Sequence, residues 1–264
     1  ILKLINFAHG DLFMLSGIMM IYLAAAFPTM PMWVTILLMI ALTVFVGFAI
    51  EKCAYSPLRT APRMSVMISA IGVSYLLQNL VCYITGGLAK QFPEIPLISQ
   101  SVRVFGVKDK LAVFISPLVA VILMVVLVLI INHTKFGMSM RAVSKDFETA
   151  QLMGVKINRV ISMTFIIGSF LAAVGALLYF AKNTGINHMA GSTPGIKAFI
   201  AAVVGGIGSV PGAVVGALLI GVVESLAKAF GLADFSDVIS FALLIIILVI
   251  KPTGLFGEKT TEKV

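Results

Sequence analysis

Three side chains that carry chemistry stand close together near the start of the chain: Asn6, His9 and Asp11, in the run INFAHGD. An amide, an imidazole and a carboxylate at this spacing offer hydrogen-bond donors and acceptors to a polar solute, and Gly10 lets a second backbone come near. A metal would need three or four ligands, and the other histidines, His133 and His188, lie on different connections. The competing reading is architectural. Asn6 or Asp11 caps the helix that follows and His9 sits satisfied at an interface, and this reading is favoured because polar residues at helix starts are common.

A second cluster is VGGIGSVPG, where Gly205, Gly206, Gly208 and Gly212 with Pro211 suit a sharp reversal of direction. It is no nucleotide loop, since it lacks the Lys and Ser or Thr of a P-loop and no strand precedes it. Gly212 and Gly216 form a small-xxx-small face suited to close packing, as do Gly168, Ala172 and Ala176. Glu224 and Lys228 are spaced i, i+4 with Glu first, which favours a structural pair over a proton relay. No run of carboxylates suggests ion coupling, and no nucleophile with a base, paired acids or metal cluster can be assembled, so an enzyme is the least favoured class.

The third set is a polar island, residues 133–159. Residues 139–152 can form a short amphipathic helix with Met140, Val143, Phe147, Ala150 and Met153 among its apolar positions, while Arg141, Lys145, Asp146 and Glu148 supply charge and Gly154 ends it. Mixed charge and the small Ala142 and Ala150 suit a groove in a partner protein. A helix lying on the bilayer surface stays open as the alternative.

The elements that position these residues follow from composition. Hydrophobic residues make up 60% of the chain, charged residues 11%, and the mean hydropathy is +1.10, far above a soluble domain. The run 111–131 would be about 31 Å long as a helix, enough to cross a hydrocarbon core. Strictly alternating segments of the kind a membrane β-barrel needs are absent. Apolar runs at 12–27, 32–50, 65–85, 111–131, 160–181, 213–230 and 235–250, with a short piece at 196–204, predict an all-α polytopic bundle of about seven spans plus a short broken helix. Paired interruptions, at 5–10 and at 204–212, point to a pathway through such a bundle. Each should break its helix.

Placing the connections after residues 50 and 131 in the cytoplasm puts Lys3, Lys52, Arg59, Arg63, Lys135, Arg141, Lys145, Lys156, Arg159, Lys251, Lys259 and Lys263 inside, the larger part of the 19 basic residues. The net charge of +8 then reads as a topology signal and an attraction to anionic membrane lipid, with no need for a nucleic-acid partner. Cys53 and Cys82 fall at opposite ends of this arrangement and are expected as free thiols. The chain starts at Ile1 without a recognisable signal peptide, and its first ten residues look like an interior stretch, so a preceding helix is expected.

With INFAHGD, RAVSKDFETAQLMGV (141–155), NRVISMTFIIGSFLAAVGALLY (158–179), PGIKAFIAAVVGGIGSVPGAVVGALLIGVVES (194–225) and KPTGLFG (251–257) in this order, the chain resembles ABC-transporter permeases of the branched-chain amino acid importer type. Within the permease pair it is similar to the member that carries INFAHGD. The resemblance implies a multi-pass subunit of the bacterial inner membrane that performs no covalent chemistry and binds no cofactor. Its implied partners are a second permease, two cytoplasmic ATPases that use the ATP, and a periplasmic solute-binding protein. The segment holding Ala150 and Gly154 is similar to the family's ATPase-docking loop. The same permeases normally carry a helix before INFAHG, so the resemblance implies that one precedes Ile1 in the full protein. Two other readings are weighed: a permease for urea or short amides, and an ion-coupled secondary transporter. The connections 86–110 and 183–195 are the expected landing surface for the binding protein.

Overall fold

The computed structural model describes residues 6, 8–59, 61–96, 98–104 and 106–257. Lys3, Lys259 and Lys263, and Ile5 and Phe7 of the first motif, lie outside the described residues.

A helix that is apolar on every side must be kept from water on every side, by protein or by lipid. α1 (Ala8–Ala26) is such a helix: its inward residues, among them Leu12, Met14, Leu15, Ile18 and Met20, are spread around its circumference. It packs against α2 (Met32–Ile50), α3 (Arg63–Thr85) and α7 (Ile157–Lys182). Lipid tails are as apolar as leucine, so what holds these helices together is close contact between backbones and small side chains. Ala173 and Ala176 of α7 are fully buried. A Cβ on Gly17 would lie 2.6 Å from the Phe180 ring, and one on Gly47 would overlap the Ser169 hydroxyl. The small face expected at Ala172 and Ala176 is therefore an interface, whereas Gly168 faces His9, whose Cε1 would lie 3.7 Å from an added Cβ.

α2 does not stop at Ile50. It winds on through a π turn (Glu51–Tyr55) and a 3-10 turn (Ser56–Leu58) before α3. α4 (Leu111–His133) runs along the outside with nothing buried in its most apolar stretch, as suits a lipid-facing helix. The expected single helix over 139–152 is two. α5 (Lys135–Lys145) and α6 (Phe147–Leu152) are separated by Asp146, which leaves helical geometry and caps α6 by accepting from the Thr149 N–H at 3.1 Å. A side chain that competes for backbone donors ends one helix and starts the next. Gly154, at φ +81°, closes α6 as expected, with the Val155 N–H donating to the Ala150 carbonyl at 3.1 Å.

At the opposite end of these helices, β1 (Lys90–Gln91) pairs antiparallel with β4 (Gly185–Ile186), and β2 (Ser101–Val104) forms a hairpin with β3 (Val107–Lys110). The connections 86–110 and 183–195 are thus brought together as one small surface, tied further by Lys110 Nζ donating to the Ala181 carbonyl at 2.9 Å.

The chain groups into two compact units, residues 1–195 and 196–264. The second contains most of α8 (Ser192–Gly205), then α9 (Val210–Ala229) and α10 (Ser236–Ile250). Glu224 does not pair with Lys228. It pairs with Lys197 of α8, whose ammonium also lies 2.8 Å from Asp237 Oδ1. An interhelical lysine shared by two carboxylates in a partly desolvated place outcompetes an exposed i, i+4 partner, because the lower dielectric strengthens each interaction. Among the described residues seven helical stretches are long and apolar enough to cross a membrane, and α8 is shorter, as the sequence predicted.

Candidate pathway and coupling site

The first motif is not broken at Gly10. α1 already begins at Ala8, so His9, Gly10 and Asp11 are helical and, at about 100° per residue, point in different directions. Among the described residues neither expected cap is present. Asn6 Oδ1 accepts from Tyr55 Oη at 2.6 Å, and only its backbone carbonyl serves the helix, accepting from the His9 N–H at 3.2 Å. The Asp11 carboxylate is buried and turns into α3, where Ser74 donates to Oδ2 and Gln78 Nε2 donates to Oδ1 at 2.9 Å. His9 keeps solvent-accessible area while lying against α7, where its Cε1 would be 3.7 Å from a Cβ on Gly168. Gly10 is where backbones meet: an added Cβ would lie 2.5 Å from the Gly191 carbonyl oxygen and 3.1 Å from Gly195 Cα.

An intramembrane carboxylate costs at least a few kcal/mol unless its oxygens are satisfied, and Ser74 with Gln78 does this from one helix face, four residues apart. Removing the acceptor leaves two half-buried donors only each other, Gln78 Nε2 donating to Ser74 Oγ at 3.2 Å, a loss of about 1–3 kcal/mol. Asp11→Leu should therefore lower the detergent-solubilised melting temperature by about 5 °C, while Asp11→Asn, which keeps an acceptor and adds a donor, should lower it by about a third of that. Equal losses in the two variants would refute this assignment of Asp11.

The second glycine cluster is a clamp. Gly206 (φ +109°) and Gly208 (φ +102°) adopt left-handed backbone between α8 and α9, and Ser209 caps α9 by accepting from the Gly212 N–H at 3.1 Å. A Cβ on Gly212 would lie 2.5 Å from the Gly205 carbonyl oxygen, and one on Gly216 would lie 2.9 Å from the Gly205 nitrogen, so the expected close packing is present. The terminal KPTGLFG closes over this turn: the Leu255 and Phe256 N–H groups each donate at 2.9 Å, to the carbonyls of Val204 and Gly205. Gly205 and Gly206 are engaged by backbone, while Gly208 faces open space.

In the polar island, Val143 and Ala150 are buried in a cluster with Ile157, Val160 and Ile161 at the start of α7, with Ala142 packed against it. Lys145, Asp146 and Glu148 are exposed. Arg141 donates to the Ile131 carbonyl and so helps close the end of α4. Phe147 and Met153 do not join the cluster. Leu152 and Met153 are 86% and 80% exposed at the tip of α6, apolar side chains presented where the same segment carries charge.

Residues 1–248 match the family described as branched-chain amino acid transport system, permease component. The chain belongs to this family. It is similar over its whole length to permease proteins of high-affinity branched-chain amino acid transport systems: 36% identical to LivH of Salmonella typhimurium and of Escherichia coli, and 38% identical to BraD of Pseudomonas aeruginosa, covering 89% of each. A fructose import permease of Rhizobium meliloti, FrcC, is 30% identical over 52% of this chain. No solved structure matches the chain.

This permease is a multi-pass transport component and not an enzyme. Sequence reasoning missed the partners that its motifs use. Ser74 and Gln78 were legible in principle as polar residues four apart in an apolar span. Glu51, Arg59, Asn158 and Ser162, which meet at the end of the bundle that also carries Asn6 and α6, belong to segments about 100 residues apart in sequence, and no local pattern marks them.

Proposed function

We propose that this permease is one of two membrane subunits of an ATP-driven importer that moves branched-chain amino acids inward across the inner membrane by alternating access. The observation that carries this reading is the full-length similarity to permeases of branched-chain amino acid systems. Two cytoplasmic ATPases dock at α5 and α6, and a solute-binding protein lands on the surface built from β1, β4 and the β2–β3 hairpin. ATP is bound and hydrolysed by the ATPases alone. An ion-coupled carrier is disfavoured because, among the described residues, the buried carboxylates Asp11 and Glu51 and the half-buried Glu224 are each held by their own donors: Asp11 by Ser74 and Gln78, Glu51 by Arg59 and Ser162, Glu224 by Lys197 and Ser240.

The test is hydrolysis in the reconstituted complex with its binding protein. Leucine is expected to stimulate it, and urea is not. Stimulation by urea without leucine would replace the cargo, and uptake driven by an ion gradient without the ATPases would remove the importer reading.

A further inference from the structure

We infer that Arg59 is the positioning residue that carries motion of the ATPase-docking segment to the start of α1, acting through the π turn that ends α2. The inference rests on the docking of ATPases at α5 and α6 proposed above.

Arg59 follows the 3-10 turn and its side chain is 10% exposed. One guanidinium nitrogen donates to Glu51 Oε1 and another to Asn158 Oδ1 at the start of α7. Glu51 is fully buried, and its Oε2 accepts from Ser162 Oγ of α7 at 2.8 Å. The Glu51–Arg59 pair is thus joined to the first two turns of α7 from both of its ends. Those turns supply Ile157, Val160 and Ile161 to the cluster that holds Val143 of α5 and Ala150 of α6, so a shift of α6 displaces Asn158.

The same node reaches the first motif. Tyr55, the last residue of the π turn, donates to Asn6, and its ring lies 5.1 Å from that of Phe165 of α7. Phe165 packs against two clusters at once, the α5–α6–α7 cluster and the one formed by Tyr55, Val66 and Ala70. A contiguous set of contacts therefore runs from Ala150 to Asn6. A chain of contacts alone proves no coupling; it needs an element with two arrangements. The π turn supplies one, since its i→i+5 bonds convert to i→i+4 by passing the extra residue along the helix. Arg59 is built for two arrangements as well. Among the described residues its buried Nε–H has no acceptor, so its hold on Glu51 is one-sided here and closes to a two-bond fork when Asn158 withdraws.

The experiment uses the complete complex in proteoliposomes, with radiolabelled leucine and its binding protein, and reads uptake per ATP hydrolysed. Asn158 is at the surface, so Asn158→Ala leaves the bundle packed. It should keep the ATPases bound and hydrolysis within about twofold of the unmodified complex, while uptake per ATP falls about tenfold. Asn158→Asp, which keeps the acceptor for Arg59, should restore the ratio. Tyr55→Phe, which removes only the hydroxyl on Asn6, should lower it in the same direction. Unchanged uptake per ATP in Asn158→Ala and Tyr55→Phe would overturn the role of Arg59. Retention of the ATPases by the double variant Leu152→Glu, Met153→Glu would instead overturn the docking reading, whatever the Arg59 node does.

Discussion

Replacing Gly10 with leucine is expected to remove nearly all folded permease from the membrane, and even alanine there should be strongly destabilising. The reason is that α1 meets the turn at residues 191–195 backbone to backbone. A Cβ at position 10 would lie 2.5 Å from the Gly191 carbonyl oxygen, and one at position 191 would meet the Gly10 carbonyl in return. A flexible side chain could swing away, but a carbonyl held in this turn cannot without moving the start of α8. Overpacking of this kind costs about 3 kcal/mol or more, and leucine adds four carbons to a site with no room for one. Gly72 provides the contrast, because a Cβ there meets nothing within 4 Å. Gly72→Ala should raise stability by about 0.5–1 kcal/mol, the ordinary gain of alanine over glycine in a helix. Size-exclusion profiles and melting curves of detergent-extracted protein measure both. Equal melting temperatures for Gly10→Ala and Gly72→Ala would show that the α1 contact is not what the distances imply.

The double variant Leu152→Glu, Met153→Glu should fold normally and lose its ATPases. Both side chains are largely exposed at the tip of α6 and lie outside the α5–α6–α7 cluster, so their replacement costs the permease little. At an interface the balance reverses. Two apolar anchors are lost and two carboxylates must be buried against a groove that accepted methylenes, which together weaken binding by about 100-fold. Co-purification of the ATPases and leucine-stimulated hydrolysis should both collapse, while the melting temperature of the isolated permease stays within about 2 °C. Full ATPase occupancy in this variant would remove α6 as the docking element. Ala150→Asp cannot serve for this test, since Ala150 lies inside the α5–α6–α7 cluster and its loss would disturb folding first.

How much of this was legible beforehand depended on the range of the interaction concerned. Span 32–50 coincides with α2, and spans 65–85, 111–131 and 235–250 lie within two residues of their helices, because the bilayer demands long apolar runs whatever packs beside them. Gly154 was readable as a terminator, since a left-handed C-cap is a local event. The close backbone approach read at Gly10 is present, against residues 191–195, whereas the interruption expected over 5–10 does not include His9 and Gly10, which are already helical; a glycine that admits a neighbour need not bend its chain. The i, i+4 pairing of Glu224 with Lys228 fails because that rule sees only its own helix, and Lys197 lies 27 residues earlier on another.

Sequence alone determined that this chain crosses a membrane as a helical permease, where its helices run, and which segment is amphipathic. Those properties are set by hydropathy, length and local backbone chemistry. Only the tertiary structure decided what the polar residues do: that Asn6 holds Tyr55, that Asp11 is quenched by Ser74 and Gln78, and that Glu51 and Arg59 join α2 to α7. In an apolar medium each buried polar group must find a partner, but which partner is a matter of distance in space, and the chain order does not record it.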